Sequence, residues 1–439
     1  MNKRDKEYAK ILQQMIQYET VSNVDFVDLK KFRGFHKLLK QLFPNVFKKC
    51  VVEDFNGSLL IKWPGEKSDS PKMFMNHHDV VPAEGDWIYS PFNGEIHDGK
   101  MYGRGTLDTK GGLFSMLKAA DELIESGYVP KQDIYFESAC TEETTGKGCE
   151  AIVEELVKRN IKFDFVLDEG GAITFEPLGG VKATYAMIGL GERGRAALKF
   201  VAKSNGGHAS TPGKNTPLVR LGKFMAYLEE HNIFEVKVNS IVTEMLQRFA
   251  PNVDGAVKYL YQNASKAKSV LKTAMPAISP QAKAMVQTTL AFTMASGSNG
   301  SNVLPESAYV IGDMRISHHE GFDKAYKKVK DVASKFDIDV EVFDVPEESN
   351  LAKVDSRGFK LMEEAINTVY KDDDVFVAPY IMNQCSDARY MAKVCDTCLR
   401  FMPFIISKEQ MESIHGKNEN VDIENLSKAV DFYKYMMEN

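Results

Sequence analysis

Six cysteines scattered over 439 residues are too few for a disulfide framework. Cys395 and Cys398 form one C-x-x-C, but no second cysteine pair has zinc-finger spacing, so a structural role is expected for them. No run of roughly 18 apolar residues occurs, which excludes a hydrophobic membrane-spanning helix as an expectation. The opening stretch, MNKRDKEYAKILQQM, is charged and amphipathic and lacks the apolar core and small-residue cleavage site of a secretory signal. Together these absences predict a cytoplasmic protein with no membrane partner. A sustained basic stripe is also missing, and the net charge of -6 argues against nucleic acid as a partner. The pattern G-x-x-x-x-G-K-[ST] is absent, so Gly103-Arg104-Gly105 does not read as a phosphate loop. No internal repeat or low-complexity tract stands out.

A composition of 44% hydrophobic and 26% charged residues is that of an ordinary globular chain, and the length suggests about two or three domains. Helical spacing of Tyr8, Ile11, Leu12, Met15 and Ile16 predicts a first helix over 5–18, and a second is expected over 26–42. Val51 to Asp54 and Leu59 to Trp63 flank Asn56-Gly57, a hairpin signal. Strands are then expected at Met73 to Met75, at 134–139 and at 163–167, alternating with helices over 113–126 and 147–159. That alternation predicts an α/β fold with a mostly parallel sheet and helices on both faces. After about 188 the pattern becomes strand 195–203, helix 219–230, strand 308–316, helix 324–335 and strand 339–343, a smaller α+β unit. The expected division is 1–188, an inserted unit 189–345, and a return over 346–439 with helices at 357–370 and 425–437. Residues 232–293 are rich in Ala, Lys and Met at helical spacing, and packing against the inserted unit or a partner subunit is the expected role.

Chemistry concentrates between Met73 and Gly112. His77 and Asp79 are two apart past a short apolar strand, so an extended backbone points both the same way. A metal-bound imidazole needs a partner on its other ring nitrogen, and Asp79 is placed to serve His77. Asp108 sits in the turn Gly103-Arg104-Gly105 to Gly111-Gly112, just before a helix. Glu142 and Glu143 follow the next strand. Adjacent carboxylates there diverge, which allows one to hold a metal and the other to act as a base. Asp168-Glu169-Gly170-Gly171 ends the strand after that, and ligands collect at the carboxyl ends of parallel strands. His78 faces away from His77 and is expected to pack, while His97, His318 and His319 are expected at the surface.

The boxes His77-His78-Asp79-Val80-Val81-Pro82, Trp87 to Phe92 and Gly103 to Lys110 resemble those of a zinc-dependent metallopeptidase and amidohydrolase family. That family includes carboxypeptidase S, aminoacylase-1, glutamate carboxypeptidases and succinyl-diaminopimelate desuccinylase. The resemblance continues through Glu142-Glu143, Asp168 to Gly171, Gly207-His208-Ala209-Ser210, Asn302 to Pro305 and His415, with the carboxypeptidase S branch the most similar. It implies a zinc-peptidase-like fold with a lid or dimerisation domain, and two zinc ions for which cobalt or manganese could substitute. By the same resemblance His77 and Glu169 hold one ion, Glu143 and His415 the other, and Asp108 bridges; Asp168 is the alternative to Glu169. Glu142 is the implied general base, and the Asp108–Thr109 peptide is expected to be cis. His208 is implied to reach a neighbouring subunit's site in a homodimer. Arg315 is the candidate clamp for a substrate carboxylate, with Asn302, Ser386 and Arg389 lining the substrate region. Ser386 stands where the family often has Thr, and Cys385 where it often has Gly.

The reading is a dinuclear-zinc hydrolase that cleaves an amide bond next to a free carboxylate, as a carboxypeptidase on small peptides. N-acyl-amino-acid deacylation and dipeptidase action are the alternatives. No acidic group for a substrate amine is identifiable, which disfavours an aminopeptidase. A catalytically silent metal-binding scaffold is the rival of a different class, and retention of Glu142 and all five candidate ligands argues against it.

Overall fold

Successive side chains of a strand point to opposite faces, and in this chain both faces of the main sheet are apolar. Phe74, Phe136, Phe165 and Leu167 pack on one side with Leu113 and Leu117 of the helix Lys110–Glu125 and with Val430 and Tyr433 of Glu424–Glu438. Met73, Met75, Tyr135 and Val166 face the other side, against Ile152, Val153 and Leu156 of the helix Lys147–Lys158. The computed structural model describes residues 2–343 and 349–439. The expected return near Pro346 lies outside the described residues.

The sheet has nine strands. Its path runs Val51–Phe55, Ser58–Trp63, Gln132–Ser138, Lys67–Met75, Phe165–Asp168, Cys398–Arg400, Thr184–Glu192 and Val375–Met382, with Ile173–Phe175 added to Thr184–Glu192. Gln132–Ser138, Lys67–Met75, Phe165–Asp168 and Cys398–Arg400 are mutually parallel, so their carboxyl ends lie together. The expected hairpin forms: Val51–Phe55 pairs antiparallel with Ser58–Trp63, and Asn56 and Gly57 both take positive φ.

Several strands escape the sequence pattern, and two of them show why. Val375–Met382 contains Pro379, which argues against a central strand, yet it pairs parallel with Thr184–Glu192. It lies at the end of the sheet path, where the missing N–H of a proline costs no ladder bond. Thr289–Ser296 was expected to continue a helical insertion but forms the edge of a second sheet.

That second sheet is antiparallel, in the order Thr289–Ser296, Ser307–Ile316, Gly194–Lys203, Asp339–Val342. Leu221 and Phe224 of the helix Pro217–Glu230, and Ala325, Val329 and Val332 of Gly321–Ser334, cover one face of it. The chain crosses from one sheet to the other at Arg193, whose buried guanidinium donates to the carbonyl of Gln287 at 2.8 Å and to that of Arg315.

The insertion folds into the helices Ser240–Phe249, Gly255–Gln262, Lys268–Ile278 and Pro280–Val286. Its Glu235 and Thr288 bond to Glu320 and Ser317 of the inserted unit, as expected of a contact with it, while its core residues Met245, Leu246, Phe249 and Leu271 pack with Tyr185, Met187 and Ala378 of the main sheet. Arg248 ties it further, pairing with Glu363 and donating to the carbonyl of Val377 at 3.3 Å. The physical cause is the edge strand Val375–Met382, whose apolar face would otherwise be open to water. Among the described residues no helix is long and apolar enough to cross a membrane.

Candidate active site

His77, Glu142 and Glu169 each follow the carboxyl end of a parallel strand: Lys67–Met75, Gln132–Ser138 and Phe165–Asp168 respectively. Because these strands are neighbours, residues 65 to 92 positions apart in sequence converge within a few ångströms. His77 Nε2 stands 3.0 Å from Asp108 Oδ1, 3.3 Å from Glu169 Oε1 and 3.9 Å from Glu142 Oε2. The second oxygen of Asp108 is 3.1 Å from His415 Nε2, which also lies 3.0 Å from Glu143 Oε2. Asp108 thus spans the two histidines, one with each carboxylate oxygen.

The orientation of His77 comes from the other ring nitrogen. Nδ1 lies 2.9 Å from the backbone carbonyl of Asp79 and 3.4 Å from its carboxylate. The carbonyl is therefore the nearer partner, where the sequence pointed to the side chain. The Asp79 carboxylate instead accepts from the backbone N–H groups of Glu142, at 3.2 Å, and Glu143, at 3.1 Å. It sets the turn that presents both glutamates.

Asp168 and Glu169 are used differently. Asp168 turns inward and accepts from the backbone N–H of Glu169 at 2.9 Å and of Ala388 at 2.8 Å, while Glu169 faces His77. The Asp108–Thr109 peptide is cis.

Glu419 is a residue the sequence reading passed over. It is fully buried and accepts from Arg104 Nη1 at 2.7 Å and from the backbone N–H groups of Gly105, Leu107 and Asp108 at 2.8–3.1 Å. Arg104 donates onward to the carbonyl of Gly416 at 2.8 Å, beside His415. One carboxylate thereby ties the turn carrying Asp108 to the loop carrying His415. Gly105 allows that turn, with φ at +92° and Val80 lying 2.9 Å from where a Cβ would stand. An acid partner for Arg104 could be expected, but nothing local identifies one 315 residues away.

The electrostatics are those of too many acids in one place. Burial raises the Glu142 carboxyl well above the usual range; His77 opposes this, and Glu169, Asp387 and Glu143 add to it. Burial likewise pushes Glu169 up to about 8. Burial works the same way on Asp108, but its hydrogen bonds to His415 and His77 outweigh it and hold that carboxyl low. Hydrogen bonds to Asp108 and Glu143 lift His415 to about 10. Glu143 Oε1 is buried without a partner. The ligand atoms of His77, Asp108 and Glu143 lie within 4.8 Å of one another, as do those of His77, Glu142 and Glu169. An orphaned carboxylate oxygen and two imidazoles among clustered acids form a donor set that fits divalent cations.

A cavity of about 460 Å³ opens over the cluster, with Asp108, Glu142, Glu143, Glu169 and His415 in its wall. Arg315, on the second sheet, donates to Asp313 at 2.7 Å and approaches the carbonyl of Asn383 at 3.5 Å and Cys385 Sγ at 3.6 Å. Asn383 and Cys385 line the cavity; Arg315 itself does not, and its guanidinium is held against these two wall residues. Ser386 does not line it: the hydroxyl is buried and donates to Glu192 Oε2 at 2.8 Å, in a carboxylate shared with Arg400. Arg389 sits behind the same wall, donating to the carbonyl of Ser386 at 3.1 Å and lying over the Tyr390 ring. His208 and Asn302 belong to a two-stranded ribbon in which Gly207–His208 pairs with Val303–Leu304; both are exposed and neither lines the cavity.

The remaining histidines and cysteines stand apart from the cluster. His78 is buried against Phe32 and Phe35, with Nδ1 2.9 Å from Ser138 Oγ, as a packing residue. His97 stacks on Tyr89 with ring centroids 3.7 Å apart. His318 is not a surface residue: it is partly buried, and burial pushes its pKa down to about 4. Cys395 and Cys398 are buried free thiols beside the strand Cys398–Arg400.

Residues 73–439 match the family described as Peptidase family M20/M25/M40. Over its full length the chain is 28% identical to the N-fatty-acyl-amino acid synthase/hydrolase PM20D1 of Xenopus tropicalis, covering 86% of that protein. It is 27% identical to the probable carboxypeptidase S-like 2 of Dictyostelium discoideum, covering 99% of this chain and 85% of that one. The fold superposes on the M20 family metallo-carboxypeptidase Sso-CP2 from Sulfolobus solfataricus with a TM-score of 0.71 at 17% identity, covering 100% and 99% of the two chains. The α/β architecture with its smaller inserted sheet, the clustered acids and imidazoles, and the matched length lead to one conclusion: this chain belongs to the M20/M25/M40 peptidase family and is a metal-dependent hydrolase.

Proposed function

We propose that the chain hydrolyses an amide bond next to a free carboxylate, acting as a carboxypeptidase on small peptides. The observation that carries this reading is Asp108, whose two oxygens face His77 and His415 with Glu169, Glu143 and Glu142 around them. Two divalent ions, zinc or in its place cobalt or manganese, would be held by His77 and Glu169, by Glu143 and His415, and by Asp108 between them, and would supply Lewis-acid polarisation of the carbonyl and of a water. Glu142 takes the proton from the attacking water and delivers it to the amine nitrogen as the C–N bond breaks. Arg315 holds the substrate carboxylate, and Ser386 and Arg389 position Asn383 to Cys385 from behind. Asp168, already committed to two backbone amides, is left out of the ligand set.

His208 and Asn302 are assigned to a lid that completes a neighbouring subunit's site, which makes the working form a homodimer. The division into 1–188, 189–345 and 346–439 and a cytoplasmic location belong to the same reading. His208→Ala is expected to lower kcat by about 10²-fold or more, as loss of an oxyanion donor does, with metal content unchanged. A normal rate in that variant would return His208 to the surface.

A second reading, deacylation of N-acyl amino acids, is favoured by the apolar cavity wall and by the similarity to PM20D1. Hydrolysis of N-blocked glycyl-leucine, N-acetyl-leucine and free glycyl-leucine by the zinc-loaded protein separates the two, with a chelator as control. Fastest chelator-sensitive cleavage of the blocked dipeptide is the expected result. Preference for N-acetyl-leucine would make the chain an aminoacylase, and preference for the free dipeptide would make it a dipeptidase. Cleavage that a chelator leaves untouched would refute the metal site.

A further inference from the structure

Ile134, Tyr135 and Phe136 of the strand Gln132–Ser138 are core residues, and the position after them is Glu137, only 1% exposed. Side chains alternate along a strand, so Glu137 points the same way as Tyr135, onto the face covered by the helix Lys147–Lys158. Two other polar groups meet it there: Cys149, in the first turn of that helix, and Asp387, just before the helix Ala388–Met391. All three residues are buried, and their ligand atoms lie within 4.8 Å of one another. None of them lines the active-site cavity. Glu137 Oε1 and both oxygens of Asp387 are buried without a hydrogen-bond partner. Whichever oxygen Asp387 turns towards Glu137 and Cys149 is therefore orphaned. Cys149 Sγ lies 3.7 Å from the Asp387 backbone carbonyl. Burial raises both carboxyls, Glu137 well above the usual range and Asp387 up to about 8, while Arg389 pulls Asp387 the other way. Arg389 itself donates to the Ser386 carbonyl at 3.1 Å and lies over the Tyr390 ring. Acids shut away from water this close together call for a countercharge placed among them.

We propose that Glu137, Cys149 and Asp387 form a further cation site, separate from the active-site cluster, that takes a divalent ion of the zinc type. The thiol selects an ion with affinity for sulfur as well as oxygen, over magnesium or calcium, which take oxygen alone. Cys149 gives up its proton to solvent on binding, so the donors bring two carboxylates and a thiolate to the ion. Arg389, the cation that acts most on Asp387, offsets the negative charge left over. The role of the ion follows from where its donors sit. Glu137 is next to last in its strand and Cys149 opens the following helix, so the two bracket the loop that presents Glu142 and Glu143. Asp387 precedes Ala388, whose amide holds Asp168 beside Glu169. One ion fastens both ends of the loop carrying the two glutamates to the segment behind the cavity wall. Its part is structural, and it touches no reacting atom.

Cobalt distinguishes this site from the active-site cluster, where His77, Asp108, Glu143, Glu169 and His415 offer a metal only nitrogen and oxygen. Cobalt(II) bound by a thiolate shows a sulfur-to-metal charge-transfer band in the near ultraviolet, and imidazole and carboxylate ligands alone do not. Protein expressed in cobalt-supplemented medium is expected to show that band. Protein expressed with zinc and desalted is expected to carry about one ion more per chain than Cys149→Ala, read by atomic emission. Neither the band nor that difference depends on how many ions the active site holds, so failure of the dinuclear reading would leave both standing. Cys149→Ala and Glu137→Gln should each abolish the band, and Glu137→Gln should weaken zinc binding here by at least about tenfold. Cys385→Ala, which removes a thiol lining the cavity, should keep the band, as should Cys395→Ala/Cys398→Ala. Should Cys149→Ala not fold, Glu137→Gln, which preserves the shape of the side chain, carries the test. Absence of the band in the wild type would overturn the proposal and leave the acids neutralised by protons. A band that survives Cys149→Ala, or a band and ion count that Glu137→Gln leaves unchanged, would overturn it as well.

Discussion

Glu142→Gln is expected to abolish nearly all turnover, by about 10²–10⁴-fold, while zinc content stays at the wild-type level. The substitution keeps the shape of the side chain and removes only its ability to take a proton. Glu142 stands 3.9 Å from His77 Nε2, farther than Asp108 or Glu169, so it is the acid of that group most free for proton transfer. Its backbone N–H is already held by Asp79, which fixes the turn independently of the side-chain charge. The check is kcat for the preferred substrate beside metal content by atomic absorption. Activity retained with metal present would remove Glu142 as the base, and loss of both together would make it a ligand.

Glu419→Ala is expected to cost about 3–5 kcal/mol of stability, because it leaves the Arg104 guanidinium buried without its partner. Several backbone N–H groups between Gly105 and Asp108 lose their acceptor at the same time, each an orphaned donor in a dry site. Burial raises the Glu419 carboxyl while Arg104 and the amides oppose that shift, so the network depends on all its members being present. The turn carrying Asp108 and the loop carrying His415 then lose their common anchor. Zinc affinity should fall by about 10–100-fold, the range seen when groups orienting metal ligands are removed. Urea unfolding of the metal-free protein and a competitive zinc titration read the two effects separately. An unchanged unfolding midpoint would mean that the turn holds its shape without Glu419.

The main sheet was legible because its cause is local. Met73-Phe74-Met75 and Phe165 to Leu167 are short apolar runs closed by polar residues, and a strand buried on both faces leaves that signature wherever it occurs. Asn56-Gly57 declared its hairpin for the same reason. Val375–Met382 did not show itself, because its proline is tolerated only at a sheet edge and edge position is a property of the assembled sheet. Thr289–Ser296 was lost in the helical pattern of its neighbours, and only pairing with Ser307–Ile316 makes it a strand.

The sequence by itself determined which residues stand at the ends of the parallel strands and in the glycine turn: His77, Asp108, Glu142, Glu143 and the pair Asp168-Glu169, between whose two members it left the choice open. Short spacings and strand alternation dictate those placements, since they depend on covalent geometry over a few residues. Tertiary structure alone decided which groups meet across long separations. It assigned Glu419 to Arg104, turned Asp168 onto the amide of Ala388 and left Glu169 facing His77, and set Met285 of the insertion into the cavity wall, whereas the meeting of His415 with Asp108 was already implied by the family resemblance. Those choices follow from burial: a charged or apolar side chain shut away from water takes its partner from whatever the packed chain delivers, and sequence distance does not enter.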